Sequence, residues 1–423
     1  MKRFRLGDIA NVEISGIDKK TKEGESAVRL CNFTDVYYNW AITKNMYDGL
    51  MQASASESDI ETFSLCKGQV AITKDSETRD DIGIATYIAD DFDDVVLGYH
   101  CALITPKSDI SEDEKIYGKY LNALLHTKYA QKYFSNNATG SGQRYTLSKE
   151  AIEDMPVYLP SYKEQKRIGD YLSDIDKKIE TNNLINAELE AMSKQIYDYW
   201  FVQFDFPNKE GKPYKSSGGK MVWNETLKRD IPEGWDVKAL DEISESPNAG
   251  ITPSEKPNVF WQHYSIPAFD KYGTYHTELG SEIDSNKFKV EEGQILVSKL
   301  NPWFSRVILV DEAPNTICST EFVIFKADEN VKGFLYYTIK SEPFIKYCTK
   351  GSTGSSHSHR RINPDLLRAY IFPYNKEIIA DASRFLLPLI YNYWNNVKQK
   401  MELAKLMENQ LPLLVYGQYT IKE

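Results

Sequence analysis

The chain has 423 residues, 41% of them hydrophobic and 13% aromatic, which is enough for about three domains and at least two sizeable cores. Its 61 acidic and 51 basic residues give a formal net charge of −10, which argues against a protein that coats nucleic acid without regard to sequence. A locally basic cleft is compatible with this charge. No apolar run approaches the roughly 20 residues of a membrane span and no signal-peptide core follows Met1, so we expect a cytoplasmic protein that makes no membrane contact.

Segments of the first half of the sequence recur in the same order in the second half. Gly-Gln-Val-Ala-Ile-Thr-Lys at 68–74 is matched by Gly-Gln-Ile-Leu-Val-Ser-Lys at 293–299, and residues 101–107 are matched by residues 320–326. A period above 200 residues is too long for a solenoid repeat or a propeller blade, so the repeated unit is a domain plus a helix. Two similar domains on one chain suit a partner with two similar halves, and duplex DNA is such a partner.

Residues 1–160 are predicted to form a first α/β domain. Short β-like runs, among them Gln69–Thr73 and Cys101–Ile104, alternate with one helical stretch from Tyr117 to Phe134. Residues 161–206 are predicted to be one long helix, because apolar residues recur every three or four positions between charged flanks. So narrow a stripe is typical of a coiled-coil seam. The stripe consists of Ile168, Leu172, Ile175, Ile179, Ile185, Leu189, Met192, Ile196 and Tyr199.

The second half follows the same order after a break. Residues 207–234 are rich in Pro, Gly, Ser and Lys with little periodicity, which predicts a linker. Residues 235–373 are predicted to be a second α/β domain, and residues 374–423 a second long helix with a C-terminal tail. Pro388 is expected to kink this helix and Pro412 to end it. Its apolar stripe consists of Leu386, Ile390, Tyr393, Val397, Met401, Ala404, Met407 and Leu411.

Each long helix alone would leave its apolar stripe in water, so we expect the two stripes to pack against each other. About 40 residues at a rise of ~1.5 Å each make a spacer on the order of 50–60 Å long. Because each helix follows its own domain, antiparallel packing would place the two domains at opposite ends of the spacer with pseudo-two-fold symmetry. The alternative is that each helix packs only onto its own domain.

Three segments carry a resemblance to a known family. The sequences Leu-Pro-Ser-Tyr-Lys-Glu-Gln-Lys-Arg-Ile at 159–168, Tyr-Trp-Phe-Val-Gln-Phe-Asp-Phe-Pro at 199–207 and Ile-Pro-Glu-Gly-Trp at 231–235 resemble the specificity subunits of type I restriction-modification enzymes. The resemblance extends over essentially the whole chain. The second copy departs from it, because residues 374–378 keep the Glu but lack the Gln of Glu164-Gln165.

The resemblance implies an α/β protein with two target recognition domains separated by two long antiparallel helices. It implies a non-catalytic subunit without cofactor or metal that reads a bipartite site in double-stranded DNA, with one domain for each half-site. Its partners would be methyltransferase subunits, two in our expectation, and restriction subunits that act as motor and nuclease. We expect the methyltransferase subunits to dock on the outer faces of the helices and at the junction of residues 200–206.

Two polar loops in each domain are candidates for DNA contact. A strand ends in a lysine and runs into the loops at 74–79 and 299–306, and Asn, Arg and Lys have donor patterns that match adenine and guanine edges. The Gly- and Ser-rich segments 139–144 and 351–361 let backbone amides approach a phosphate beside an arginine. The alternative is that all four are solvated loops. The predicted DNA-contacting residues are Lys74, Arg79, Gln143, Arg144, Lys299, Asn301, Trp303, Arg306, Arg360 and Arg361.

Three enzyme-like patterns match poorly. Residues 301–304 lack the second proline of the Asn-Pro-Pro-Phe motif of adenine methyltransferases, and Glu291-Glu292 lies too far from Lys299 for a nuclease site. His357 and His359 have no nearby Cys or carboxylate to complete a metal site. We therefore predict a recognition subunit. The alternatives are a stand-alone coiled-coil adaptor whose domains bind protein, and an enzyme hidden in one of the domains.

Overall fold

The computed structural model describes residues 1–310, 314–354 and 359–421. These form two compact units. Unit 1 consists of Met1–Glu180 and Glu402–Glu423, and unit 2 consists of Thr181–Met401. The boundaries fall inside both long helices, so each unit contains one end of each helix. No helix in the described ranges has the length and apolar composition of a membrane span.

Unit 1 has an α/β fold. In chain order its strands are β1 (Lys2–Arg5), β2 (Ala10–Ile14), β3 (Ser26–Cys31), β4 (Ala41–Ile42), β5 (Met51–Ala55), β6 (Val70–Thr73), β7 (Asp75–Ser76), β8 (Ala85–Ile88), β9 (Val95–Leu97), β10 (Cys101–Pro106), β11 (Thr139–Ser141), β12 (Arg144–Thr146) and β13 (Pro156–Leu159). Its helices are α1 (Leu6–Ile9), α2 (Phe33–Tyr38), α3 (Glu57–Phe63), α4 (Gly118–Leu125), α5 (Lys128–Asn137), α6 (Lys149–Glu153) and the first half of α7 (Tyr162–Tyr197).

The centre of unit 1 is a five-stranded sheet in the order β2-β10-β6-β8-β4. Strands β6 and β10 are the two predicted from the repeated motifs, and they pair antiparallel with Thr73 opposite Cys101. The single helix predicted from Tyr117 to Phe134 is wrong, because α4 and α5 are separate. The Thr127 hydroxyl separates them by accepting the Ala130 N–H at 3.3 Å, which caps α5.

Unit 2 repeats parts of this plan. Its strands are β14 (Met221–Asn224), β15 (Arg229–Pro232), β16 (Asp236–Ala239), β17 (Gly250–Ile251), β18 (Phe260–Tyr264), β19 (His276–Leu279), β20 (Lys287–Lys289), β21 (Ile295–Ser298), β22 (Val307–Leu309), β23 (Thr316–Ser319), β24 (Phe322–Phe325) and β25 (Ile371–Tyr374). Its helices are α8 (Ile266–Tyr272), α9 (Glu329–Lys340), α10 (Glu342–Gly351), α11 (Pro364–Arg368) and most of α12 (Lys376–Val415).

The sequence repeat corresponds to repeated strand pairings. In unit 2, β21 pairs antiparallel with β24, as β6 pairs with β10 in unit 1. Likewise β16 pairs antiparallel with β25, as β1 pairs with β13. The two units therefore share the strands that carry the repeated motifs, and the predicted α/β fold class is confirmed.

Residues 207–234, predicted as a linker, contain the hairpin β14–β15. The Phe206 ring stacks on Tyr214 with centroids 4.8 Å apart, and Ile231 and Trp235 are buried in the core of unit 2. A few apolar residues spaced by Pro and Gly are enough to fold the segment onto unit 2, and such spacing produces no periodic pattern. The predicted domain boundaries stay predictions.

In unit 1 the start of α7 packs near the end of α12. Ile168, Leu172 and Ile175 are buried in the same core as Met407 and Leu411. The Tyr171 hydroxyl donates to Gln410 Oε1 at 2.5 Å. The helix continues past Pro412 to Val415, so the prediction that Pro412 ends it is wrong. A proline removes one N–H from the ladder, and here the Pro412 carbonyl still accepts the Tyr416 N–H at 3.0 Å.

In unit 2 the contact between α7 and α12 is polar at its middle. Asn182 Nδ2 donates to Gln399 Oε1 at 3.4 Å, and Asn396 Nδ2 donates to Asn186 Oδ1 at 2.9 Å. Asn186 Nδ2 also donates to the Tyr393 carbonyl at 3.2 Å. As the residue number rises on α7 it falls on α12, so the helices run antiparallel, as predicted.

The buried side of α7 in unit 2 is not the predicted stripe. Ile185 and Met192 are 43% and 50% exposed, whereas Asn182, Asn186 and Ser193 are buried. The buried face keeps the three-to-four-residue spacing of the first half of α7 and continues through the polar residues Asn182, Asn186 and Ser193, whereas the apolar pattern shifts to Ile185. Of the remaining predicted interface residues in unit 2, Leu386, Ile390 and Val397 are buried, and Leu189, Ile196 and Met401 are partly buried, as is Ile179 in unit 1.

Val397→Asp should lower the free energy of unfolding of the isolated chain by roughly 3 kcal/mol or more, because Val397 is only 8% exposed and the new charge has no partner. Ile185→Asp is the matched control, and it should change stability by no more than about 0.5 kcal/mol. Denaturant unfolding measures both. Equal losses for the two variants would contradict the buried seam described here.

A second prediction concerns Asp176, a partly buried residue of α7 in unit 1. Burial, and then the nearby Glu180 carboxylate, raise the pKa of Asp176 from 3.8 to about 7. The folded chain therefore binds more protons than the unfolded chain between about pH 4 and pH 7, and this residue lowers stability as the pH rises through that window. Asp176→Asn should raise the melting temperature at pH 8 and change it little at pH 4. The exposed Asp174→Asn is the control, and equal shifts would refute the assignment.

Candidate nucleic-acid interface

In unit 1 the two predicted DNA-contacting loops form one small sheet. Strand β12 pairs with β11 on one side and with β7 on the other, which places Tyr145 opposite Ser76 and Thr146 opposite Asp75. The close approach of β11 to β12 requires glycine at position 140, because a Cβ there would lie 2.1 Å from the Arg144 carbonyl oxygen and its φ is 123°. The segment predicted to contact phosphate is therefore a hairpin held by backbone hydrogen bonds.

This sheet forms one side of an open groove with a volume of about 960 Å³. We call it the unit 1 groove. Helix α2 forms the other side with Phe33, Tyr37 and Tyr38, of which Tyr38 is 76% exposed. The remaining lining residues are Thr34, Asp75, Ser76, Glu77, Thr78, Asp81, Tyr99, His100, Gln143, Arg144, Tyr145 and Thr146. The groove combines an aromatic side with a polar side, and the polar side carries hydrogen-bonding groups of the kinds that pair with base edges.

Asp75 organises the charges in the unit 1 groove. Its Oδ2 lies 2.7 Å from Lys74 Nζ and 2.6 Å from His100 Nδ1. Burial raises the pKa of Asp75, but hydrogen bonds from Lys74, Thr146 and His100 outweigh burial, so the net pKa is lowered. Asp75 is therefore a carboxylate at neutral pH, and the predicted Lys74 is bound to it. The predicted Gln143 and Arg144 are exposed on the hairpin.

The predicted Arg79 lies beside the same hairpin. Its guanidinium carbon is 5.4 Å from the centre of the Tyr145 ring, and Nη2 donates to the Ala138 carbonyl at 3.5 Å. Tyr37 donates from its hydroxyl to Asp81 Oδ2 at 2.8 Å, and this bond raises the pKa of Tyr37 to about 12. Both sides of the groove are thus held by specific contacts.

In unit 2 the corresponding two loops also meet. The Asn301 N–H donates to the Arg360 carbonyl at 2.7 Å, and the Arg360 N–H donates to Asn301 Oδ1 at 3.0 Å. Leu300 pairs with Arg361, and the Ile362 N–H donates to the Lys299 carbonyl at 3.1 Å. Residues separated by about sixty positions are joined by backbone hydrogen bonds, as in unit 1.

The unit 2 arginines have protein partners. Arg306 is 8% exposed and makes a two-pronged contact with Asp270, from Nε at 2.6 Å and from Nη2 at 2.8 Å. Arg361 Nε donates to Glu321 Oε2 at 2.9 Å, and Arg360 Nη2 donates to the Ser352 carbonyl at 2.6 Å. Trp303 is partly buried and the neighbouring Phe304 is 57% exposed. Arg306 thus holds this loop in place.

Sequence reasoning missed the aromatic side of the unit 1 groove and His100. From the sequence, scattered Tyr and Trp residues are expected to lie in the cores. In the structure Tyr37, Tyr38 and Tyr99 line the groove. The available signal was the aromatic run in Phe33–Tyr38, placed directly after a helix-capping Asn32. Of the two histidines considered as metal ligands, His357 lies outside the described residues.

Removing Arg306 should destabilise unit 2, because the substitution Arg306→Ala leaves Asp270 without its partner and opens a buried position. We expect a loss of about 1–3 kcal/mol in thermal or denaturant unfolding. Arg144→Ala is the control on an exposed arginine and should leave stability within about 0.5 kcal/mol. A stable Arg306→Ala chain would show that Arg306 does not hold the loop.

Known proteins resemble this chain in sequence and in fold. Residues 1–191 match the family model described as the type I restriction modification DNA specificity domain. The specificity subunit of type I restriction enzyme MjaVIII from Methanocaldococcus jannaschii is 24% identical over 435 residues, which covers 97% of this chain and 93% of the relative.

Two further relatives and one solved structure are similar over most of their length. The MjaIX specificity subunit of the same organism is 25% identical over 331 residues, covering 74% of this chain and 72% of the relative. The HindI specificity subunit of Haemophilus influenzae is 22% identical over 404 residues, covering 81% and 85%. A crystal structure of a type I restriction-modification S subunit from M. genitalium has the same fold, with a TM-score of 0.60 at 14% identity over 98% of this chain and 95% of that chain. The chain is thus similar over most of its length to type I restriction-modification specificity subunits, and residues 1–191 match the DNA specificity domain of that family.

Proposed function

We propose that this chain is the DNA-recognition subunit of a type I restriction-modification complex and that each unit reads one half of a bipartite site. One observation carries the proposal. In each unit, two polar loops that are distant in sequence are joined by backbone hydrogen bonds into one surface, through β7 and β12 in unit 1 and through Asn301 and Arg360 in unit 2. Sequence readers need side chains held at fixed positions, and paired loops on a sheet provide them.

The chemistry of both surfaces suits base edges. Exposed Gln143 and Arg144 have the donors that pair with adenine and guanine in the major groove, and carboxylates such as Glu77 can accept from the amino group of cytosine. Lys299, Arg360 and Arg361 contribute positive charge in unit 2. The unit 1 groove has three carboxylates, Asp75, Glu77 and Asp81, beside Arg144, so contact there would rest on specific hydrogen bonds and not on attraction of phosphates in general.

In this proposal the chain carries out no chemistry. Methylation and cleavage belong to partner subunits, namely two methyltransferase subunits and the restriction subunits, and the complex acts on cellular DNA in the cytoplasm. Exposed apolar residues on α7 in unit 2 support a docking site for one of the methyltransferase subunits. Leu184, Ile185 and Met192 are 47%, 43% and 50% exposed on a helix whose opposite face is occupied by α12.

A stand-alone adaptor whose domains bind protein is the alternative function. The relatives described above are all named as specificity subunits of type I restriction enzymes, which does not favour it. A complex of this chain with its methyltransferase partner that binds no DNA would favour the adaptor.

The test of the proposal begins with the recognised site. Sequencing the methylome of a host that carries the chain with its partner subunits should give a bipartite motif, and the purified complex should bind it specifically. Lys299→Ala should then relax the sequence requirement in one half of the motif only, at a cost of about 1–3 kcal/mol if Lys299 contacts a base. Lys74→Ala, at the matching position of the repeat, should relax the other half.

Arg144→Ala tests phosphate contact. We expect weaker binding to all sequences, with an unchanged motif and a salt dependence lower by roughly one unit in the slope of log K against log salt concentration. Lys22→Ala, on an exposed segment outside the unit 1 groove, is the control and should change neither quantity. If affinity, motif and salt slope all stay at the wild-type values in Arg144→Ala, the hairpin is not part of the DNA surface.

A further inference from the structure

His100 has a backbone conformation that is unusual for its residue type. Its φ is 70°, in the left-handed region that glycine adopts readily and a residue with a side chain adopts at a cost in free energy. The conformation is imposed from both sides, because the His100 carbonyl accepts the Lys74 N–H at 2.8 Å and the next residue begins β10. Glycine would satisfy this backbone without strain, so a side chain at this position raises the question of what the imidazole contributes.

The imidazole is held at the edge of the unit 1 groove. Its ring lies against Tyr99 with centroids 3.8 Å apart, and Nδ1 lies 2.6 Å from Asp75 Oδ2. The ionised Asp75 can only accept, so Nδ1 carries a proton and donates it. In the neutral ring Nε2 is then a hydrogen-bond acceptor, and among the described residues it has no protein partner. The His100 side chain is 41% exposed and lines the groove.

The need to hold Asp75 in place does not explain why position 100 carries an imidazole. Lys74 and Thr146 already bond to that carboxylate, and together with His100 they keep its pKa low. The exposed aromatic rings of Tyr38 and Tyr99 flank the same groove, and such rings exclude water from a contact made between them. Asp75 therefore orients His100, and the free Nε2 is directed to something outside the protein.

We propose that His100 reads one base pair of the half-site bound by unit 1, through Nε2, and that Asp75 is its positioning residue. The inference rests on the proposed function. The ligand is an exocyclic amino group in the major groove, N6 of adenine or N4 of cytosine, because a neutral imidazole that donates from Nδ1 offers a single acceptor. The contact thus distinguishes adenine or cytosine from thymine or guanine on the strand that the ring faces.

The decisive variant is His100→Gly in the complex with the methyltransferase partner, tested on the motif that methylome sequencing defines. Glycine keeps the left-handed backbone, so we expect an unchanged or higher melting temperature. Discrimination at one base pair of one half-site should fall roughly tenfold to a hundredfold, while every position of the other half-site keeps its requirement. Asn315→Gly is the matched control, because Asn315 in unit 2 also has a positive φ, of 56°. It should not alter that base pair.

The variant Asp75→Asn tests whether Asp75 positions the His100 ring for its contact with a base. An amide can donate to Nδ1 and so favour the other tautomer, with Nε2 protonated and no longer an acceptor. We expect the preference at the same base pair to shift towards thymine or guanine, which a merely structural role of Asp75 would not produce.

Two outcomes would overturn the inference. A His100→Gly complex that is stable and keeps the full wild-type motif would refute His100 as a reader while leaving the proposed function intact. A marked loss of stability in His100→Gly would show that the ring is structural. If instead the wild-type complex showed no sequence preference for DNA, the proposed function would fail, and the inference with it.

Discussion

The backbone pairing between two distant loops is the constraint on which the candidate interface of each unit depends. In unit 1 the pairing of β7 with β12 places Asp75, Lys74 and the hairpin side chains in one groove. In unit 2 the hydrogen bonds between Asn301 and Arg360 have the same effect. The pairing fixes the backbone of the loops in a similar way in both units. The side chains at the loop tips differ between the units. A pair of domains with one support and different tips can read two different half-sites.

The contact between the two long helices follows a different principle in each unit. In unit 1 it is part of an apolar core around Leu172 and Leu411. In unit 2 its middle consists of hydrogen-bonded amides of Asn182, Asn186 and Asn396. Apolar residues can slide past each other with little loss, whereas a displaced amide loses its partner while it is still buried. The polar contacts therefore fix the register of the helices, and the apolar core supplies stability.

The sequence predicts the repeat, the α/β class and both long helices because these depend on local patterns that recur over many residues. It does not predict the polar part of the helix contact, because the apolar residues after Ile179 move to Ile185 while the buried face continues through Asn182 and Asn186. The loops of the candidate interface are predictable from residue chemistry, but their pairing is not. The aromatic side of the groove comes from α2, some forty residues before Asp75, and only the tertiary fold brings them together.

The division of both long helices between the units has a consequence for the order of folding. The core of unit 1 includes Leu414 and Val415, and the Tyr120 hydroxyl donates to the Val415 carbonyl at 3.5 Å across 295 positions of sequence. Unit 1 is therefore completed by the end of α12, which is synthesised only after all of unit 2. Contacts of such sequence separation form slowly. Until α12 has been synthesised, Leu172 and its neighbours lack the apolar contacts that α12 supplies, and apolar surface exposed in this way favours aggregation.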